Sequence, residues 1–190
     1  MIPVYTRDVS GPGSVDLRGA IFQYEPGDIT QDLLVGQWFG VLTMTGEIAT
    51  TFARSLHGLA TFLSYFVTTA TLYYKIDSGG IWAALWTEPI LSGCSIGLWV
   101  RKGYRQSHEG LTSVEELCGH VLNTVPVIIG VTKYERLARS YESFGCQVLG
   151  RIPQIFDYQG AWIVYLTREG FEQARQRRHE RRRRESEVVA

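Results

Sequence analysis

Residues 72–100 constrain the fold more tightly than any other stretch of the chain. LYYKID (72–77), IWAALWTEPI (81–90) and CSIGLWV (94–100) are rich in β-branched and aromatic side chains, which suit a pleated surface better than a helix. The first run closes at Ser78-Gly79-Gly80, the second near Pro89 and the third at Arg101-Lys102-Gly103. Three strands so close in sequence pair as a meander, so the middle of the chain is a sheet that the remaining residues must cover. A chain of 190 residues is long enough for one such core and too short for two.

The flanking patterns supply the cover. GAIFQYEPG (19–27) alternates as a first strand and stops at Pro26-Gly27, and Asp28 and Thr30 are N-cap residues for a helix carrying Leu33, Leu34 and Trp38. From Gly46 to about Tyr65, apolar residues at Ile48, Phe52, Leu56, Leu59, Leu63 and Phe66 recur every three or four positions and predict a second helix. After the meander, Thr112 or Ser113 caps a helix carrying Val114, Leu117, Val121 and Leu122, with Glu115 and Glu116 in its first turn. PVIIGV (126–131) is a continuous apolar run, expected to be a strand buried on both faces. KYERLARSYESFG (133–145) places Tyr134, Leu137, Tyr141 and Phe144 on one helical stripe, closed by Gly145 as its C′ residue. QVLGRIPQIFDY and AWIVYLT predict two further strands about a turn near Gln159-Gly160, with Pro153 at a bulge or an edge.

Composition adds exclusions. Hydrophobic residues make up 45% of the chain and charged residues 20%, as in folded soluble domains, which rules out collagen-like, disulfide-scaffold and wholly disordered chains. Lys+Arg and Asp+Glu are both 19, so no global field recruits a polyanion. The charges are nevertheless segregated, with residues 1–167 net −3 and residues 168–190 net +3. Residues 1–18, with Gly11-Pro12-Gly13, read as an irregular lead-in, 19–167 as one domain, and 168–190 as an Arg-rich helix or tail with few apolar residues beyond Phe171. The run Arg181–Arg184 offers at most a weak, salt-sensitive contact with nucleic acid or an acidic protein.

Cys94, Cys118 and Cys146 form no CxxC, and no His stands at metal-ligand spacing, so no metal site is expected and the cysteines read as small core residues of a reduced protein. The amino terminus lacks the layout of a secretory signal, which points to the cytoplasm, or to a host cytoplasm or virion if the protein is viral. The uncharged stretch 55–74 is long enough to span a membrane. Its Ser, Thr, His and Gly content, and the β-branched second half, favour a buried helix followed by a strand. Trp82, Trp86 and Trp99 are expected in the core.

Two junctions carry a resemblance. IGLWVRKGYRQSHEGLTSVEEL (96–117) resembles the segment of GNAT-type N-acyltransferases in which a central strand ends in an Arg- and Gly-containing loop before a helix; Arg105 and Gly110 match that pattern. His108 stands where the family has its first loop glycine, with Glu109 beside it. SYESFGC (140–146) is similar to the family's Tyr-Glu-x-x-Gly-Phe, with Tyr141, Glu142 and Gly145 in register, Cys146 in place of Phe, and Tyr134 where an Asn is usual. The resemblance spans roughly 19–167 and implies a GNAT-like mixed α/β fold, a central sheet of about seven strands flanked by helices.

It also implies an activity, the transfer of an acetyl group from acetyl-CoA to a primary amine of a protein or small molecule. Val100, Arg101, Arg105, Gln106, Ser107, His108, Gly110 and Leu111 would bind the cofactor, because successive backbone N–H groups and a helix N-terminus favour a diphosphate. Tyr141 would protonate the departing thiolate. The family's usual acidic base falls near Cys94 or Ser95, so a water relay or Glu88, one strand earlier, would replace it. The alternative is a GNAT-like fold without chemistry, serving as a binding or assembly protein such as a bacteriophage virion component or host-directed effector. An open notch faced by Tyr141 would favour the enzyme; His108 and Glu109 filling that notch would favour the binding protein.

Overall fold

In a computed structural model the described residues are 19–52, 56–90, 93–155 and 158–189; the expected lead-in, 1–18, lies outside them. Seven strands form one mixed sheet in the order β1-β2-β3-β4-β5-β7-β6. They are β1 (Phe22–Gln23), β2 (Thr71–Asp77), β3 (Gly80–Ile90), β4 (Gly93–Val100), β5 (Val127–Thr132), β6 (Gln147–Ile155) and β7 (Tyr158–Thr167). Every pairing is antiparallel except β4 with β5. The meander is present as the sequence predicts.

Helices α1 (Ile29–Met44), α2 (Ile48–Thr51) and α3 (Leu59–Thr68) cover one face. Helices α4 (His108–Leu122) and α6 (Arg168–Val189) cover the other, and α5 (Glu135–Ser140) connects β5 to a 3₁₀ turn over Tyr141–Phe144. Strand alternation divides the core accordingly. On the α1 side Trp38 is the hub, with ring centroids 5.5 Å from Phe62, 5.7 Å from Trp99 and 6.2 Å from Trp86. On the α4 side Tyr73, Leu85, Cys94, Leu117, Val121 and Ile128 pack together. A register shift at Lys75/Ile76, opposite Ile81–Ala83, carries Trp82 to this second face, against Tyr104 at 4.5 Å. All three expected core tryptophans are buried.

Asp28 caps α1 by accepting from the N–H groups of Thr30 and Gln31. Gly145 takes the left-handed conformation, φ 93°, after the Tyr141 turn. Other boundaries differ from expectation. The first strand is paired over only Phe22–Gln23. The single helix read over 46–65 is two helices, because Phe52 is extended and Gly58 begins α3; burial of Phe52, Leu56 and Phe62 in one cluster produced a helical spacing without a continuous helix. α4 begins at His108, capped by Ser107 rather than by Thr112 or Ser113. β5 is only partly buried, because it borders the cleft described below. Gln159 and Gly160 lie within β7, and the β6–β7 connection falls at 156–157, outside the described residues. Pro153 is on the edge strand, while the irregularity in β6 lies between Val148 and Gly150.

α6 has more to pack with than its composition suggested, since Phe171 and Ala174 are both buried. No helix among the described residues is long and apolar enough to cross a membrane. Among the described residues one charged side chain is fully inside: Lys75 of β2 is 2% exposed and pairs with Glu116 of α4, which is half-exposed. Lys75→Met keeps the volume and removes the cost of desolvating the ammonium, while Glu116 can be hydrated alone. Unfolding in urea is expected to show unchanged or higher stability; a loss of more than about 2 kcal/mol would show that the pair holds the sheet to α4.

Candidate active site

β4 and β5 pair over only three positions, Cys94↔Ile128, Ser95↔Ile129 and Ile96↔Gly130. β4 then continues to Val100 and β5 to Thr132 without pairing to each other, so the β5-facing edge of Gly97–Val100 has no strand partner. A cleft of about 480 Å³ occupies the gap. It reaches both faces of the sheet, with Phe52, Tyr65, Trp86 and Glu88 on the α1 side and Val114, Cys118, Tyr141 and Cys146 on the α4 side.

Two candidate catalytic residues line this cleft, from its two sides, although 53 positions separate them in sequence. Glu88 is the cross-strand partner of Ser95, immediately before the strands diverge, and its carboxylate accepts a 2.7 Å hydrogen bond from the Tyr65 hydroxyl. Tyr141 opens the 3₁₀ turn after α5. Burial, reinforced by Cys118 and Cys146 nearby, pushes its phenol up to about 12, so it holds its proton throughout the physiological range. Its hydroxyl has no hydrogen-bond partner among the described residues.

The turn that carries Tyr141 is braced from behind by α6. The Arg178 guanidinium donates to the Ser143 carbonyl, lies 5.2 Å from the Phe144 ring centroid and sits 3.1 Å from Glu115 of α4. Sequence reading missed this role, because nothing local distinguishes Arg178 from the other arginines of its run. Arg181, Arg183 and Arg184 are exposed on the outer half of α6 and do not line the cleft.

The loop from Val100 to Leu111 is organised by its own backbone. Tyr104 N–H donates to Arg101, Ser107 N–H to Tyr104, and the Ser107 hydroxyl accepts from Gly110 N–H at 3.0 Å. Gly110 is required here because a Cβ would overlap the Tyr104 carbonyl. Gln106 adopts a left-handed φ of 71°, a strain of about 1 kcal/mol for a residue with a Cβ. The N–H groups of Gln106, His108 and Glu109 have no partner among the described residues. His108 and Glu109 are exposed and do not line the cleft. Val100 and Arg105 do line it, whereas Gln106, Ser107, His108, Gly110 and Leu111 stand beyond it at the start of α4.

Arg101 is placed differently from the expectation of a cofactor rim. Its guanidinium donates to Asp77 at 2.9 and 3.1 Å and to the carbonyls of Gly79 and Ile81, tying β4 to the β2–β3 hairpin. Burial raises the Asp77 carboxyl, but hydrogen bonds from Tyr104 and Gly79 and the Arg101 charge outweigh it and hold the group below the usual carboxylate range. The stabilisation is therefore complete above the unfolded value, about 3.9, and is lost as pH falls through the lower folded value. Asp77→Asn is expected to cost about 2 kcal/mol at neutral pH and to flatten the stability profile below about pH 4 in denaturant titrations; an unchanged acid limb would contradict the assignment.

Arg105 is engaged as well. It donates from Nε to the Val100 carbonyl at 2.6 Å and from Nη2 to Glu47 at 2.6 Å. Glu47, at the start of α2, also accepts from Trp99 Nε1 at 2.6 Å. Burial raises the Glu47 carboxyl, yet the bonds from Arg105 and Trp99 and the charges of Arg105 and Lys102 bring it below the usual range. The contact joins residues 58 apart, so no periodicity or motif announced Glu47.

No family model and no curated protein sequence matches the chain. Solved structures do. A spermidine N-acetyltransferase from Vibrio cholerae, in complex with CoA and spermine, superposes with a TM-score of 0.62 at 10% identity over 80% of this chain and 96% of the other. A ribosomal-protein-S5-alanine acetyltransferase from Vibrio fischeri gives 0.61 at 8% identity over 80% and 93%. The aminoglycoside acetyltransferase AAC(6')-Ib, in complex with coenzyme A and kanamycin, gives 0.59 at 17% identity over 82% and 99%. Together with the seven-stranded mixed sheet and its one splayed parallel pair, these superpositions establish that the chain has the fold of the GNAT-type N-acyltransferases.

Proposed function

We propose that the protein is an N-acyltransferase that uses acetyl-CoA to acylate a primary amine. The observation that carries this reading is the open cleft between β4 and β5 with Glu88 and Tyr141 both lining it. The residues present fit the donor. Unpartnered N–H groups at Gln106, His108 and Glu109, with the N-terminus of a 15-residue helix, suit a diphosphate, and Arg105 adds a positive charge beside them. When bound, acetyl-CoA supplies the acyl group as a thioester.

The chain's own residues then divide the work. Glu88 takes a proton from the acceptor nitrogen, directly or through one water, on the α1 side of the cleft. The unpaired edge of Gly97–Val100 presents backbone N–H groups to the carbonyl oxygen. On the α4 side, Tyr141 offers its phenolic proton to the departing sulfur. Phe52, Tyr65 and Trp86 exclude water around the attacking amine. The named neighbours are acetyltransferases of spermidine, ribosomal-protein-S5-alanine and aminoglycosides, and an amine acceptor is the chemistry we take them to share.

Release of free thiol from acetyl-CoA, measured against a panel of polyamines, aminoglycosides and peptide amines, tests the activity. Glu88→Gln is expected to lower kcat by about 10²-fold at neutral pH, with donor affinity unchanged. Full activity in Glu88→Gln would remove it from the mechanism, and no thiol release with any amine would refute the transferase.

A further inference from the structure

Glu47 and Arg105 form an ion pair where the two halves of the cleft meet. Arg105 belongs to the loop that approaches the donor, and Glu47 opens α2, whose C-terminal neighbour Phe52 stacks on Trp86 at 4.3 Å beside Glu88. The guanidinium is 42% exposed and the carboxylate 21%, so an incoming anion can reach the pair. Glu47 has a second anchor in Trp99 Nε1, at 2.6 Å, and does not depend on Arg105 alone. The bond to the Val100 carbonyl would still hold Arg105 at the end of β4 if Glu47 let go.

A carboxylate and a diphosphate compete for the same planar set of donors. We infer that Glu47 occupies the donor's anion position on Arg105 in the free protein, and that donor binding transfers Arg105 from Glu47 to the diphosphate. This rests on the function proposed above. It makes Glu47 a positioning residue with two effects. It weakens donor affinity, because its bond to Arg105 must break first. It also couples the donor to the acceptor side, because α2 is held at its start by this carboxylate and its N–H groups at Thr50, Thr51 and Phe52 bond back to Glu47 and Ile48. Donor binding therefore leaves the Glu47 carboxylate on Trp99 Nε1 alone, which loosens, without releasing, the start of the α2 wall before the amine arrives.

The test is calorimetric titration with coenzyme A of the native chain, Glu47→Gln, Arg105→Gln and the double variant. Glutamine retains an oxygen for Trp99 Nε1 and loses the charge that competes for Arg105. Glu47→Gln is expected to bind coenzyme A about fivefold more tightly than the native chain, the size of a part-exposed ion pair. Arg105→Gln is expected to bind more weakly, with no further change on adding Glu47→Gln, because the two act through one contact. Hydrogen exchange on the native chain gives a readout free of any variant. The Thr50, Thr51 and Phe52 amides should exchange faster with coenzyme A bound, which a purely structural Glu47 would not produce. Equal or weaker binding by Glu47→Gln, with the native chain binding normally, would overturn the competition and leave the donor site standing. Binding by Glu47→Gln alone would support it in its strongest form, and absence of binding in every variant would overturn both readings.

Discussion

Replacing Tyr141 with phenylalanine is expected to lower kcat by about 10²–10³-fold while leaving the affinity for acetyl-CoA within about twofold. The hydroxyl has no partner among the described residues, so its loss leaves no orphaned group behind and should not weaken the fold. What is lost is a proton presented to the α4 side of the cleft, on a phenol that burial raises to about 12. A thiol ionises near 8.5, so full transfer from such a phenol is uphill by roughly 5 kcal/mol. In the proposed mechanism Tyr141 would therefore act by hydrogen-bonding the developing thiolate, with the proton following, and its effect is expected in kcat rather than in KM. Single-turnover thiol release and donor titration on the same preparation separate these. A variant that binds poorly and turns over normally would reassign Tyr141 to the wall of the cleft.

Gly145→Ala is expected to cost about 3 kcal/mol or more and to shift the urea midpoint without changing the slope. The residue sits at φ 93°, where a Cβ already costs about 1–2 kcal/mol. The added methyl would also overlap the Gly170 carbonyl and crowd Ala174 in the first turns of α6. Neither neighbour is a flexible side-chain tip, so relief requires α6 to back away from the Tyr141 turn, and Arg178 with it. Gly103→Ala, where the new Cβ meets nothing within 4 Å, is the control and should change stability by less than about 0.5 kcal/mol. Similar losses in the two variants would show that Gly145 does not fix the docking of α6.

What could be read from the residues and what could not follow a physical division. The meander, the Asp28 cap and the Gly145 C′ position are local, and each is written in a few adjacent residues. The fold was recognisable because two segments, 96–117 and 140–146, keep enough of a family's turn chemistry. The break at Phe52 was hidden because its side chain is buried at helical spacing with Ile48 and Leu56 while its backbone is extended. Ser107 was passed over as a cap because the Glu115-Glu116 pair drew the helix start to Thr112 or Ser113, and the first turn of α4 holds only one acidic residue, Glu109, beside a histidine and a glycine.

Site residues divide the same way. Tyr141 was named through the family resemblance of SYESFGC, and Glu88 as a stand-in for the family's missing base, and both line the cleft. Arg101 was assigned to cofactor binding through the resemblance, yet it bonds to Asp77, 24 positions earlier. Glu47 and Arg178 act through contacts 58 and 35 residues away, and only the folded chain brings those partners together. Long-range polar contacts carry no period, which is why charge in a loop was visible and its partner was not.

The central claim is that the β4–β5 cleft is an acyl-donor site. Calorimetric titration of the native chain with acetyl-CoA, followed by addition of an amine acceptor to the same cell, tests it most directly. The account predicts one-to-one binding with a dissociation constant between about 1 μM and 1 mM, followed by release of one thiol per acyl group once amine is present. No heat and no thiol release at millimolar acetyl-CoA, from a chain whose near-UV spectrum shows its tryptophan core intact, would contradict it.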